Sequence, residues 1–389
     1  MKYLILLAIV SMNAFIIVST FFKEKLNINI DGFYFTTMII IEMLVFIYII
    51  SKVLYTKKLN KNYLYLAILV LLICSAYYFS PFKHDELSTN NILFFILWAL
   101  PASICGVEMH NLKKEKVDRF FKVIFSLFSI CLIFIILIPY ITGNLPSYIN
   151  FGLMNYQNVS YIAAFTFGLG MYFFTEKATS YKFYFIIMSF IMIPIIFIAS
   201  GRGGAILLII YIIVVSMGIV RNKRIPNVNK ILFVSIILIL VVSIMSIAIS
   251  FDKEGRTFSY LTSSGISLDQ TSGREDVYGN DIQYIKQKPL LGYGLFNYYH
   301  LINNIPHNIV FELMLIGGVF GTSIIAIIVA FILKKFRIHY DKNSTDRLAM
   351  FLSIYPLTLL MFSSNFLVVS EFWFAIFYFL AKPKVKLNE

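Results

Sequence analysis

The chain is short of charge, of cysteine and of every familiar cofactor signature. Only 14% of its 389 residues are charged, against 59% hydrophobic, where a soluble domain carries about 25% charge, so a free water-soluble enzyme or binding module is excluded. The three cysteines, Cys74, Cys105 and Cys131, lie inside apolar runs with neither the pairing of a disulfide framework nor the spacing of a zinc site, which leaves packing as their role. No H-E-x-x-H, no P-loop and no carboxylate cluster outside the apolar runs occurs, so the sequence asks for no metal and no cofactor. Linkers, low-complexity tracts and repeats of fixed period are missing too, and a single polytopic domain, 1–389, is expected.

What is present is apolar sequence in lengths that match a bilayer. Runs of roughly twenty residues recur at 3–22, 33–51, 63–80, 91–107, 120–140, 159–175, 183–199, 204–220, 231–250, 308–333, 348–362 and 366–381, which predicts an all-α integral membrane protein of about twelve transmembrane helices. The first run is long, and Ser19-Thr20-Phe21 is a poor cleavage site, so it reads as a retained span and not a signal peptide.

The net charge of +13 would suggest nucleic acid if it were spread evenly, but it alternates by connection. Lys52, Lys57, Lys58 and Lys61 fill the second connection, Lys113 to Lys122 the fourth, Arg221 to Lys230 the eighth and Lys334 to Arg347 the tenth, while the odd connections are near neutral. By the positive-inside rule both termini and the even connections are cytoplasmic, and the basic excess reports topology and anionic lipid, with no nucleic acid as partner.

This threading places three polar motifs on the opposite, extracytoplasmic side. Ser200-Gly201-Arg202-Gly203-Gly204 lies in the seventh connection; Thr271-Ser272-Gly273-Arg274 and Pro306-His307-Asn308 lie in the long ninth, 251–306. A connection of that length is usually functional or disordered, and this one reads as ordered. Thr271 or Ser272 caps a helix, Glu275 and Asp276 suit its first turn, Lys286 and Lys288 its last, and Pro289 stops it. Tyr278, Ile282 and Ile285 give that helix an apolar face for the membrane surface or the outer ends of the spans.

In order and spacing, Ser200 to Gly204, Ser272-Gly273-Arg274, Lys288-Pro289-Leu290-Leu291-Gly292-Tyr293-Gly294 and His307-Asn308, followed by an apolar helix with Glu312, Gly317, Gly318 and Gly321, resemble the O-antigen polymerase and ligase family, Wzy-type surface-polysaccharide polymerases above all. The resemblance implies a bacterial inner-membrane glycosyltransferase of the membrane glycosyltransferase C type, metal-independent and inverting. It implies a glycan donor and acceptor linked to undecaprenyl pyrophosphate, arginines at the pyrophosphate, a histidine assisting the acceptor, and room for a chain-length-regulating partner. A ligase would use the same donor with a different acceptor.

The residues themselves suit that chemistry. Cleaving a sugar–pyrophosphate bond leaves charge on phosphate oxygens, and guanidinium, always charged and able to bond two oxygens at once, answers it at Arg202 and Arg274. Gly201 and Gly203 let the backbone near Arg202 approach a bulky headgroup. The competing readings are an Arg202 that snorkels as a helix-end anchor and an Arg274 that pairs with Glu275 or Asp276. At His307 an imidazole, a group that ordinarily titrates near neutrality, can take a proton from an attacking hydroxyl, with Asn308 orienting it or the acceptor; the competing reading is a plain helix start. Glu312 and Glu371 are carboxylates near the outer end of the bilayer, where charge is costly without a partner. Tyr293, Tyr298 and Tyr299 are candidate stacking faces for sugar. A lipid-linked-sugar flippase would also have twelve helices, but would carry its polar breaks at mid-membrane and show related halves, which are not seen.

Overall fold

The computed structural model describes residues 3–176, 181–221, 274–302, 304–339 and 344–381, with isolated positions between 226 and 266. In chain order its helices are α1 (Leu4–Leu26), α2 (Asp31–Thr56), α3 (Asn62–Phe79), α4 (Glu86–Met109), α5 (Lys114–Ile141), α6 (Tyr156–Thr175), α7 (Lys182–Ile198), α8 (Arg202–Arg221), α9 (Arg274–Gln287), α10 (Tyr298–Ile302), α11 (Ile309–His339), α12 (Ser344–Phe362) and α13 (Ser370–Ala381). Among the described residues, eight are long and apolar enough to cross a membrane: α1 to α5, α8, α11 over Ile309–Ile327, and α12. The apolar α7 and α13 are shorter, and α6 is a helix of 20 residues. The predicted run at 231–250 lies largely outside the described residues. One short antiparallel pair, Leu261–Thr262 with Gly265–Ile266, adds a hairpin that the helical pattern did not predict.

Two of the spans are continued across prolines by a change of register. A π turn at Phe95–Ala99 precedes Pro101 in α4, and another at Ile133–Leu137 precedes Pro139 in α5. Proline has no N–H to return to the preceding turn, and one i→i+5 turn lets the helix go on without leaving a carbonyl stranded in an apolar surround.

The chain divides into two compact units, residues 1–12, 35–118 and 271–389 in the first and 13–34 and 119–270 in the second. In the first, α4 packs on α13 so closely that a Cβ on Gly106 would lie 2.5 Å from the carbonyl oxygen of Phe374 and 2.9 Å from the nitrogen of Tyr378. Two residues farther along α4, the fully buried Glu108 meets Lys52 and accepts from Tyr63 at 2.7 Å and Asn111 at 3.3 Å, so its charge is compensated and not bare. In the second unit α6 is the central helix, buried from Val159 to Phe173 between α7 and α8. By contrast α2, α3 and α11 present large apolar side chains outward, Leu54, Leu71, Leu72 and Phe320 among them, as lipid-facing helices do. Cys105 and Cys131 are buried and all three cysteines are free.

Candidate functional site

In the second unit the Ser200–Gly204 motif is a tight turn from α7 into α8. Ser200 adopts a left-handed backbone, φ 55°, a conformation that costs a non-glycine residue energy and is kept where the surroundings enforce it. The enforcement comes from α6: Ser160 Oγ donates to the carbonyl of Gly201 at 2.8 Å. A Cβ on Gly201 or Gly204 would run into Ser160, and one on Gly203 into the ring of Tyr161. The glycines are therefore buried against α6. The space expected beside them for a headgroup is filled by protein, and their effect is to seat the first turn of α8 and fix where the half-buried Arg202 leaves it.

In the first unit the two glycine motifs of the sequence are halves of one backbone device. Helix α11 breaks at Gly318, φ 58° and ψ −160°, which frees the carbonyls of Leu315 and Ile316 and the N–H groups of Val319 and Phe320 that a regular helix would pair. The 289–294 loop takes all four. Tyr293 N and Gly294 N donate to Leu315 O and Ile316 O at 2.7 and 2.8 Å, and Val319 N and Phe320 N donate to Pro289 O and Leu290 O at 2.8 and 3.2 Å. Gly292 and Gly318 have no room for a side chain at this crossing, since each Cβ would meet the partner strand's backbone below 3 Å. A broken helix in an apolar surround survives because every freed group finds a partner.

This clamp carries the loop into a polar cluster at one end of the unit. Ser80 Oγ donates to Asn297 Oδ1 at 2.7 Å, and Ser88 Oγ donates to Phe296 O at 3.3 Å. His300 stacks on Phe82, ring centroids 4.0 Å apart, with Asp85 3.3 Å from its Nδ1. At the centre is Glu312, 1% exposed. It accepts hydrogen bonds from Tyr298 Oη and from Asn365 Nδ2, and the same amide reaches Tyr299 Oη at 2.6 Å. Burial, and then the Glu312 carboxyl, raise the phenols of Tyr298 and Tyr299 above their ordinary range, so both remain protonated.

His307 sits just before this helix with φ 55°. Its ring is half-buried and its Nδ1 is shielded from solvent. Asn308 caps α11: its Oδ1 accepts from Val310 N at 2.9 Å and Phe311 N at 3.3 Å, and its Nδ2 reaches Met361 O at 3.5 Å. The cap and the strained backbone together aim the imidazole.

Residues 187–326 match the family model described as O-antigen ligase. This bears out the resemblance to the O-antigen polymerase and ligase family read from the motifs, and the matched segment holds Arg202, Arg274, the clamp, His307 and Glu312. No curated protein and no solved structure matches the chain. The O-antigen ligase match does not separate a polymerase from a ligase.

The remaining expected residues divide. Tyr298 and Tyr299 are fully buried, so they offer hydroxyls to Glu312 and Asn365 and no ring face to a sugar. Tyr293 is partly exposed, with Oη donating to Tyr284 O at 3.0 Å and Lys288 Nζ 4.8 Å from its ring centroid. Glu371 is buried beside Ser370, whose hydroxyl donates to it at 3.0 Å. The Thr271-Ser272-Gly273 stretch and the side chain of Arg274 lie outside the described residues, although Arg274 opens α9.

Two members of the cluster escaped the sequence reading. Asn365 was legible in hindsight as the one amide in the short break between the last two apolar runs. Asp281 was hidden by pattern, because the inward face of α9 is Tyr278, Asp281 and Ile285, while Ile282 is 39% exposed. Tyr278 packs edge-on to Phe311 at 5.3 Å. Asp281 is fully buried, neither carboxylate oxygen has a hydrogen-bond partner among the described residues, and burial pushes its pKa up to about 6. It lies close enough to Glu312 for the two charges to act on one another. Among the described residues no group of three or more His, Cys, Asp or Glu could hold a metal ion.

Proposed function

We propose that this protein polymerises a surface polysaccharide outside the cytoplasm, moving the growing glycan from undecaprenyl pyrophosphate to the non-reducing end of a lipid-linked repeat unit. The observation that carries the reading is the O-antigen ligase match, which embraces Arg202, Arg274 and His307 in one continuous segment. In the reaction the acceptor hydroxyl oxygen attacks the anomeric carbon from the face opposite the leaving group, and the bond from that carbon to the pyrophosphate oxygen breaks. The configuration inverts and undecaprenyl pyrophosphate departs with the bonding electrons.

Arg202 and Arg274 neutralise the charge that gathers on the leaving oxygens. His307 receives the proton of the attacking hydroxyl, an effect worth about 10²- to 10⁴-fold. Glu312, held by Tyr298 and Asn365, orients the acceptor end of the site. The step requires no metal, because two guanidiniums supply the positive charge that a divalent cation supplies elsewhere.

The nearest competing reading is a ligase, which differs only in acceptor. Incubating the purified protein with the host's undecaprenyl-pyrophosphate repeat unit alone, and resolving the products by length, separates the two. A ladder of lengthening lipid-linked chains is expected. A single unchanged band that lengthens only when a different acceptor is added would make the protein a ligase.

A further inference from the structure

We propose that the second unit carries a saccharide-binding pocket distinct from the arginine and histidine motifs, and that it holds a sugar of the donor glycan a short distance from the pyrophosphate. The proposal rests on the donor reading above. The pocket measures about 460 Å³ and is lined by Glu24 and Lys25 at the end of α1, by Thr142 and Asn144 just past α5, by Phe151, and by the isoleucines, leucine and prolines of 135–146. That volume falls in the range of small-ligand sites.

Its walls are fixed before any ligand arrives. Asn144 N and Leu145 N both donate to Pro139 O, at 2.8 and 3.1 Å, and Thr142 Oγ1 returns to Ile138 O at 3.0 Å while accepting from Asn144 Nδ2 at 3.1 Å. On the far side Lys23 Nζ bonds Phe151 O at 3.1 Å and Asp31 at 3.4 Å, and Phe151 N donates to Met154 O at 2.9 Å. A pre-ordered wall spares the ligand the cost of organising it.

The chemistry of the lining selects the occupant. Glu24 and Lys25 are exposed, and neither has a hydrogen-bond or ion-pair partner among the described residues. A carboxylate that accepts, an ammonium that donates and an amide that does both, set around Pro139 and Phe151, fit a molecule with hydroxyls on its rim and C–H faces. A lipid tail would use only the apolar part of this wall, and a phosphate would face Glu24. A pyranose uses both, its hydroxyls toward Glu24, Lys25 and Asn144 and its C–H faces toward Pro139 and Phe151.

Position completes the argument. Tyr156 follows Phe151 by five residues, at most about 17 Å of extended chain, and its carbonyl oxygen lies 3.4 Å from where a Cβ on Gly201 would stand, next to Arg202. A glycan whose pyrophosphate is held at Arg202 therefore brings its first sugars within reach of the pocket.

The test uses the full-length protein in lipid nanodiscs and, as probe, the free glycan released by mild acid from the host's surface polysaccharide, which carries neither lipid nor pyrophosphate. Binding is read by saturation-transfer NMR for wild type, Glu24→Gln, Asn144→Ala and Arg202→Ala. Glu24 is exposed and has no partner among the described residues, so its substitution is expected to leave the fold alone, and unchanged thermal unfolding checks this. Wild type and Arg202→Ala are expected to bind alike, with Glu24→Gln and Asn144→Ala at least tenfold weaker. Equal binding by all four proteins, or no binding by folded wild type, overturns the pocket. Glycan binding that the pocket variants abolish, in a protein that transfers no sugar from the lipid-linked donor, would sink the transferase reading while leaving the pocket standing.

Discussion

The turn that carries Arg202 and the segment that carries His307 use glycine and polar side chains in opposite proportions. Around Arg202 the glycines are buried against Ser160 and Tyr161, and the motif is a packing device that delivers one cation to a fixed place. Around His307 the glycines lie farther along, in the Pro289–Gly294 and Gly317–Gly318 clamp, and the helix that the histidine precedes carries Glu312 in a network with Tyr298, Tyr299 and Asn365. The difference teaches that two glycine-rich motifs of similar appearance do different work. One seats an always-charged group that needs no tuning, and the other supports groups whose protonation matters.

Substitutions can separate these roles. Arg202→Ala and Arg202→Lys should each lower transfer by two orders of magnitude or more, because a point charge does not replace a two-pronged donor. Near-normal transfer by Arg202→Lys in a rate assay would show that charge alone suffices.

Gly204→Ala should act through stability, since its Cβ enters the space of Ser160. Overpacking of this kind costs about 1–3 kcal/mol, seen as a lower unfolding temperature, with any residual folded protein still active. An unshifted unfolding temperature would mean that α6 and α8 are not held at this distance.

Asn365→Ala should cost roughly tenfold in rate with a smaller loss of stability, because it removes the amide that bridges Glu312 and Tyr299. Asn365→Asp, by adding a third carboxyl beside Glu312 and Asp281, should be worse than alanine, and the reverse order of the two would show that the amide is not bonded to Glu312.

The smallest effect concerns Asp281. Its pKa is raised by burial from 3.8 to about 6, so the folded protein holds a proton there that the unfolded chain has already released. Packing of α9 is then strongest when the carboxyl is neutral and weakens as pH rises through about 6. The unfolding temperature should rise between pH 7 and pH 5, and Asp281→Asn should flatten that dependence. A dependence unchanged in the variant would assign it to another group.

Much of the arrangement was legible in residues alone, and the failures have physical causes. Apolar length marked the eight candidate spans found among the described residues, and the order of the arginine, glycine and histidine motifs carried the resemblance that the family model matches over 187–326, because these are local properties of the chain. The partnership of Gly292 with Gly318 was not legible, since it is a backbone exchange between segments twenty-six residues apart whose side chains carry no signal. The burial of Tyr298 and Tyr299 was missed because an aromatic beside a motif looks alike whether it stacks on sugar or holds a carboxyl. Asp281 was missed because three apolar neighbours on α9 drew the helix's inward face toward Ile282.

The most direct test is the transfer rate of His307→Asn beside wild type, with thermal unfolding of both. Asparagine tolerates the left-handed backbone that His307 adopts and cannot accept a proton at neutral pH. A rate at least a hundredfold lower with unchanged unfolding is the expected result; a wild-type rate would contradict the role of His307 as the base.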